Sequence, residues 1–280
     1  MRRITYENSR GEKIEFYLSP FVIESLTGIG EVEADLQGQN SPYQDGDTYI
    51  DTILQPRYIE MECGITDSDL TIIKQHRKRI LRVCNPKLGL GKITLEMDGD
   101  IKEIMGIPDG SPVFPEREVF QKFMITWKCP DPYWKDLNET SRALQAYVGN
   151  FTLPTTFPIE LGVAGDRTTL FNAGDEPSPV TIDIHGPTTN PQVINRTTGE
   201  YIRVNRSIAS DEILHINTTP GRKRVEIYRG NTIEQAFGYL DHNSEMFMLE
   251  IGENEIEHIA DAGDRRAIVA ITWQNRYVGV

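Results

Sequence analysis

The chain has few of the residues that build metal and redox sites. Its 280 residues include three cysteines, Cys63, Cys84 and Cys129, and five histidines. The cysteines lie too far apart for a zinc site or a redox dithiol, so we expect reduced and mostly buried thiols. The histidines have neither a neighbouring cysteine nor the spacing of a two-histidine helical site. They are His76, His185, His215, His242 and His258. The sequence therefore predicts no metal site and no cofactor.

Long apolar runs are also missing. No stretch approaches the ~20 apolar residues that a membrane-spanning helix needs. Arg2 and Arg3 near the start are followed by a largely polar segment, without the apolar region of a signal peptide. We therefore expect synthesis in the cytoplasm and no membrane association.

Catalytic motifs are absent as well. No serine lies in a Gly-x-Ser-x-Gly turn, and no glycine-rich phosphate loop precedes a helix with a lysine. The acidic runs at Asp45-Gly46-Asp47 and Asp98-Gly99-Asp100 lack the spacing of a calcium-binding loop and are typical of turns. A glycan hydrolase would need two acids flanking a cleft, and no pattern singles out such a pair. We expect no catalytic residues and no enzymatic activity.

The charge is strongly acidic. Against 29 lysines and arginines stand 42 aspartates and glutamates, which gives a formal net charge of -13. Such a chain does not bind nucleic acid by neutralising phosphates, so no sequence-specific nucleic-acid binding is expected. An acidic surface would let DNA slide past without sticking, although the sequence does not say where the charge lies.

The length exceeds the ~100–200 residues of one typical domain, and two domains are expected. The first half predicts β-hairpins, one across residues 3–18 and one around Asp98-Gly99. A single helix is predicted to start at Thr66 or Asp67 and to end before Asn85-Pro86. Its basic cluster could be a partner-binding face or a solvated side, and we favour the solvated side. The cluster comprises Lys74, His76, Arg77, Lys78, Arg79 and Arg82.

The second half predicts seven or more short strands separated by turns, an arrangement typical of a two-sheet sandwich. Between the halves, residues 136–158 are polar and contain Pro154 and Pro158, so we place the domain junction there. The expected domains are residues 1–140 and 141–280. We expect limited proteolysis to cut first within the junction.

Several segments together resemble the distal tail proteins of long-tailed, non-contractile phages. The resemblance begins with the turn and strand from Asp45 to Arg57 and ends with the terminal stretch from Ile271 to Val280. Intermediate segments follow the same order, and the resemblance spans nearly the whole chain. They are Asn85–Ile93, Cys129–Trp134, Asn172–Pro179, Ile194–Glu200 and Gly252–Ile256.

The resemblance implies a mainly β protein in two domains. The N-terminal domain would be barrel-like, with one helix and hairpins, and would form a hexameric ring. The C-terminal domain would be a galectin-like or carbohydrate-module-like sandwich. Such a hub joins the tail tube protein to a tail-associated tip protein and to a receptor-binding protein. The protein would be made in the host cytoplasm and would lie at the tail tip of the virion.

Carbohydrate binding in host recognition is the alternative from another class. Aromatic side chains on a β-sandwich can stack on sugar rings, and the C-terminal half has five that could do so. They are Tyr228, Phe237, Tyr239, Trp273 and Tyr277. Trp273 lies in an alternating apolar strand, so we expect it to be buried. A cell-wall glycan stays open as a partner.

Overall fold

The fold is mainly β, as the sequence predicts. The computed structural model describes residues 2–43, 45–116, 120–145, 166–262 and 267–280. The chain forms two compact units, which we call unit 1 and unit 2. Unit 1 runs to Leu137 and also includes Tyr277–Val280, whereas unit 2 comprises Asn138–Arg276. The chain therefore passes from one unit to the other twice.

Unit 1 contains ten strands of the N-terminal half and one α-helix. The elements are β1 Arg2–Glu7, β2 Lys13–Phe16, β3 Phe21–Thr27, β4 Ala34–Gln39, β5 Thr48–Leu54, β6 Arg57–Ile65, α1 Leu70–Val83, a 3-10 turn Pro86–Leu88, β7 Gly91–Met97, β8 Asp100–Pro108, β9 Gln121–Cys129 and β10 Trp134–Asp136. The predicted hairpins are confirmed, because β1 pairs with β2 and β7 with β8, both antiparallel. Asp98 and Gly99 have φ of 52° and 93°, the left-handed values that a tight hairpin turn requires.

The main sheet of unit 1 has the strand order β2-β1-β7-β8-β9-β6-β3, and β10 pairs with the edge of β8. The expected barrel-like order is present, but in the described residues no ladder joins the end strands β2 and β3. A single parallel bridge between Tyr17 and Val22 lies beside them. The link between β2 and β3 is only a few residues long, and parallel pairing needs a connection of about a dozen. The sheet is therefore not a closed barrel.

Helix α1 begins later than the sequence suggests. The predicted start at Thr66 or Asp67 is wrong, because Thr66 donates its backbone N–H to the Pro20 carbonyl in an extended connection. Asp69 is the N-cap, and its Oδ1 accepts the backbone N–H of Thr71 at 2.6 Å. The helix buries a narrow stripe of Ile73, Ile80 and Val83. Most of the remaining helix surface faces solvent, while the half-buried His76 packs its ring against Phe21.

The core of unit 1 is built around aromatic rings. Trp127 and Trp134 are fully buried, and Phe16 contacts both Phe123 and Trp127 through tilted or edge-on ring contacts. All three cysteines are free and buried, as expected. Burial raises the pKa of Cys84 and Cys129 to about 12 and also raises that of Cys63. The thiols are therefore protonated and unreactive at neutral pH.

Unit 2 is built from short strands. They are β11 Thr140–Gln145, β12 Asp166–Asn172, β13 Ser178–His185, β14 Thr188–Thr189, β15 Gln192–Asn195, β16 Tyr201–Arg203, β17 Ser207–Ile208, β18 Ile213–Asn217, β19 Arg224–Arg229, β20 Thr232–Gln235, β21 Met248–Leu249, β22 Gly252–Ile259 and β23 Ile268–Trp273. Strand β24, Arg276–Tyr277, follows at the return to unit 1. In the described part of unit 2 the only helical piece is a 3-10 turn at Phe237–Tyr239.

Two sheets make unit 2 a sandwich, as the strand pattern predicts. One has the order β11-β23-β13-β18-β19-β20, and the other has the order β12-β22-β15-β16. Both contribute to a single core, in which Ile182 and Ile271 of the first sheet share a cluster with Val193 and Ile256 of the second. In β13 and β23 alternate residues are buried, so the period-two pattern of these sequences indicates which face points inward.

The expected domains 1–140 and 141–280 stay a prediction, because compact units in one chain do not show independent folding. Most of the predicted junction, residues 146–158, lies outside the described residues. In the described ranges, no helix is long and apolar enough to cross a membrane.

Trp273 provides a test of the sandwich core. Its side chain is 4% exposed, and its indole N–H donates to Asn275. We expect Trp273→Ala to cost ~3–5 kcal/mol of unfolding free energy, because the change removes buried surface and leaves a cavity. Calorimetry measures this cost, and Phe237→Ala is the matched control because Phe237 is 49% exposed. A Trp273→Ala chain that melts like the parent but loses binding to cell-wall glycan would contradict the burial of this residue.

Candidate functional site

A β-hairpin without a buried residue is the most unusual feature of unit 1. Among the strands of the described residues, β4 and β5 pair only with each other, and every described residue from Ala34 to Leu54 is exposed or intermediate. We call residues 34–54 the arm. An isolated two-stranded hairpin is marginally stable in water. The arm must therefore be held by its base, by a partner, or by both.

The arm exposes large apolar side chains on both of its faces. Leu36 pairs with Thr52 and lies on the same face as Leu54, since alternate residues of a strand share a face, while Ile50 lies at a bulge where the register shifts. Leu36 is 70% exposed and Ile50 is 61% exposed. Tyr49 is exposed on the face of Leu36, because its hydroxyl lies 2.9 Å from the Thr52 hydroxyl, and Ile53 is exposed on the other face. A cluster of this kind on one element is typical of an interaction surface.

The tip of the arm presents a tyrosine. Tyr43 is fully exposed and has φ of 66°, a left-handed value that is rare for a bulky side chain. Gly46 follows with φ of 77°, at the turn that the sequence predicts from Asp45-Gly46-Asp47. Unusual backbone conformations are often found at ligand-binding or switch positions.

A buried arginine fixes the base of the arm. Arg57 is the first residue of β6, three positions after β5 ends, and it is 1% exposed. Its Nη1 donates to the carbonyls of Gly28, Ile29 and Glu31, at 2.9, 3.2 and 2.7 Å. These acceptors lie just before β4. The guanidinium therefore joins the chain entering the arm to the chain leaving it.

The same guanidinium binds two further segments. Its Nε donates to the Pro132 carbonyl at 2.8 Å, and its Nη2 donates to the Val278 carbonyl. Burial is the largest cause of the lowered pKa of Arg57. The guanidinium stays charged because the pKa of an arginine lies far above neutral pH. We call Arg57 and its five carbonyl acceptors the clamp. No carboxylate forms an ion pair with Arg57 in the part of the chain that the structure describes.

Close packing around the clamp leaves no room for side chains. A Cβ on Gly28 would lie 1.8 Å from the Tyr58 carbonyl oxygen, and Gly28 has φ of 78°. The indole N–H of Trp134 donates to the Ile29 carbonyl at 2.9 Å. Gly30 and Gly279 also approach closely, since a Cβ on Gly279 would lie 3.2 Å from the Cα of Gly30. These contacts hold the base of the arm in one position.

The clamp joins two of the segments whose sequences resemble a known family. One segment ends at Arg57, and the other contains Val278. Beside this contact, the Tyr277 hydroxyl donates to Asp136, and the Lys102 ammonium lies 4.0 Å from the centre of the Tyr277 ring. Sequence reasoning identified both segments as family signatures but not their contact. No local pattern indicates which carbonyls a buried arginine will bind.

The histidines are not brought together by the fold. His76 pairs with Asp67 at 2.9 Å, and His215 pairs with Asp183 at 2.7 Å. The acidic runs that include Asp45 and Asp98 lie in hairpin turns. In the described ranges no group of three or more histidine, cysteine, aspartate or glutamate side chains is arranged to hold a metal ion.

The five aromatic residues considered for sugar binding fall into two groups. Trp273 is buried, as expected, while Tyr228 and Tyr277 are half-buried. Phe237 and Tyr239 are 49% and 41% exposed, and the Arg206 guanidinium lies over the Tyr239 ring at 5.2 Å. The structure therefore does not combine the five into one exposed platform.

Two family models match most of the chain. The RIFT-related domain of phage tail proteins matches residues 9–129, and the C-terminal domain of the siphovirus-type tail component matches residues 173–277. Together with the fold, they define the class as structural components of phage tails. The chain belongs to the siphovirus-type distal tail protein family.

Solved structures share the fold at low sequence identity. The Dit protein (gp 19.1) of phage SPP1 is 12% identical, with a TM-score of 0.69 over 98% of each chain. It is described as a paradigm of the hub adsorption apparatus in phages that infect Gram-positive bacteria. A chain of the phage p2 baseplate, in its activated conformation with calcium, is 12% identical with a TM-score of 0.54 over the whole of both chains. A comparison with curated proteins finds no match.

The clamp predicts a large effect of replacing Arg57. We expect Arg57→Met to lower the unfolding free energy by at least ~3 kcal/mol, because five buried carbonyls lose their donor. Arg57→Lys should rescue little, since one ammonium cannot reach carbonyls on three segments. Chemical denaturation measures both, and Arg222→Met at an exposed turn is the control. Parent-like stability of Arg57→Met would show that water replaces the guanidinium without cost.

The pair of His215 and Asp183 predicts a pH dependence in unit 2. The hydrogen bond that Asp183 accepts from the imidazole raises the pKa of His215, so the pair stabilises the fold when the imidazole is protonated. This stabilisation is fully present below the ordinary histidine pKa of about 6.5 and is lost as the pH rises through the raised value. Melting temperatures of the parent and Asp183→Asn, compared across this range, should therefore differ most at the acidic end. A difference independent of pH would contradict the ion pair.

Proposed function

We propose that this distal tail protein is a ring-forming hub that joins the tail tube to the tail-tip components. The observation that carries the proposal is the arm, a clamped hairpin with exposed Leu36, Ile50 and Tyr43. A fixed element that keeps apolar side chains in water gains stability when another molecule covers them. A hub with neighbouring copies around a ring supplies such a cover.

Ring formation requires two different surfaces on every subunit. A head-to-tail interface closes into a ring when its rotation divides a full turn, and the proposed ring has six copies. The two arm strands also have free edges, whose backbone groups can pair with a strand of the next copy. The arm therefore suits the projecting half of a head-to-tail contact.

The proposed partners follow from the position of such a ring. The tail tube protein would meet one ring face and a tail-associated tip protein the other, with a receptor-binding protein attached at the tip. DNA would pass through the opening, and the net charge of -13 opposes its adhesion. The role is structural rather than enzymatic, and the protein acts at the virion tail tip after synthesis in the host cytoplasm.

Carbohydrate binding has less support as a second function. It depended on a row of exposed aromatic residues in unit 2, and Trp273 lies in the core. Of the five aromatics named from the sequence, only Phe237 and Tyr239 are exposed. We therefore do not propose that unit 2 acts as a carbohydrate-binding host-recognition module.

The hub proposal predicts that the arm drives self-association. We expect the full chain to form rings with a central opening in negative-stain images, and oligomers in light scattering as concentration rises. Leu36→Asp with Ile50→Asp should weaken assembly at least ~10-fold without unfolding the chain, because the apolar contact is lost. Ile233→Asp, at a similarly exposed position of unit 2, is the control. A strictly monomeric parent at high concentration, with no ring in assembled tails, would overturn the hub.

A further inference from the structure

Helix α1 has a second face whose residues are exposed, although Arg77 contacts the Phe114 ring of unit 1. Leu70, Lys74, Arg77, Lys78 and Leu81 follow the spacing i, i+4, i+7, i+8, i+11 and therefore share one side of the helix. All five are exposed, and Leu70 is 60% exposed. We call them the basic face. It combines three cations with a leucine towards either end.

The charge of the basic face is not balanced by the helix itself. Residues 70–83 include five lysines and arginines and no acid. Arg82 pairs with Glu12, and the Arg77 guanidinium lies over the Phe114 ring at 4.7 Å. Lys74 and Lys78 form no ion pair in the described ranges. An uncompensated cationic stripe with exposed leucines differs from an ordinary solvated side, where the signs alternate.

The arm has the opposite composition. Its residues 34–54 contain Asp35, Asp45, Asp47 and Asp51 and no lysine or arginine. The aspartates accompany Leu36, Ile50 and Tyr43, all exposed. These two exposed surfaces of unit 1, each combining apolar side chains with charge of a single sign, are thus opposite in sign. Such complementarity favours encounter and fixes the register of an interface.

We propose that the arm of one copy binds the basic face of helix α1 on a second copy. This contact rests on the proposed hub and names the surface that receives the arm. Aspartates of the arm lie against Lys74 and Lys78, and apolar arm residues cover Leu70 and Leu81. Because donor and receiver are different surfaces of the same unit, the contact is head-to-tail, as a closed ring requires.

A charge-swap experiment on the full chain tests the contact. The helix variant carries Lys74→Glu and Lys78→Glu, and the arm variant carries Asp45→Lys and Asp51→Lys. Each variant alone places like charges in the contact, so we expect its self-association to weaken at least ~10-fold. Raising the salt concentration should weaken assembly of the parent and partly relieve the repulsion in each variant.

Mixing the two variants gives the sharper result. The lysines in the arm of the arm variant then face the glutamates in the helix of the helix variant. The unchanged arm of the helix variant faces the unchanged helix of the arm variant, and these charges are also opposite. Every contact between unlike chains is favourable, so equimolar mixtures should assemble as oligomers with alternating composition. Sedimentation with one variant labelled measures this recovery. Failure of the mixture to recover, with both variants folded, would overturn the contact.

Matched controls separate this contact from the hub itself. Arg222→Glu with Lys223→Glu reverses two exposed charges in a turn of unit 2 and should leave assembly unchanged. If the parent assembles and the leucine and isoleucine changes in the arm disrupt it, but the helix variant does not, the hub stands and the contact is wrong. If the helix variant instead loses retention on DNA while assembly is unchanged, the basic face binds nucleic acid and the contact is also overturned. A parent that never assembles overturns both.

Discussion

The guanidinium of Arg57 lies where four separate stretches of unit 1 meet, and the arm depends on it. Its acceptors are main-chain carbonyls before the arm, in the loop before β10 and in the C-terminal segment. Arg57 forms no ion pair among the described residues, and such a buried charge is tolerated only when its donors are satisfied by dipoles. Arginine suits this position because the N–H groups of its planar guanidinium point in several directions at once. The charge of Arg57 thus holds main-chain peptide groups in place rather than side chains.

This constraint explains why the arm can be both exposed and fixed. Most exposed hairpins are stabilised along their length by packing against a sheet or helix. Here the stabilising contacts are concentrated at the base, where Gly28 and Trp134 close the space around the clamp. The rest of the hairpin keeps its side chains available. A rigid element with free side chains loses little conformational entropy when it binds.

Local sequence patterns predict the strands of this protein well. The alternation in β9 and β23 and the Asp98-Gly99 turn are short-range signals, and the structure has the expected hairpins and sandwich there. The sequence predicts a helix start that is too early, because Thr66 and Asp67 are also residue types that favour the N-cap position. Whether the barrel closes depends on the short link between β2 and β3. A pattern of strands in the sequence does not indicate this closure.

The candidate site was harder to predict, for a physical reason. The sequence predicts β5 as a strand but cannot show that neither of its faces is covered, since its Ile50 and Ile53 resemble core residues. The acceptors of Arg57 are carbonyls, which every residue has, so no residue type marks them. The sequence shows the charge of each segment but not the role of that charge. The basic cluster of α1 becomes informative only beside an arm that has no positive charge.

The return of residues 277–280 to unit 1 has a consequence for the order of synthesis. The ribosome completes residues 1–137 long before Val278, whose carbonyl accepts from Arg57. Until all of unit 2 has been translated, the base of the arm lacks one of its acceptors. A nascent chain therefore carries a hairpin whose base still lacks the contact between Arg57 and the Val278 carbonyl. The topology therefore completes the clamp only after Val278 has been translated.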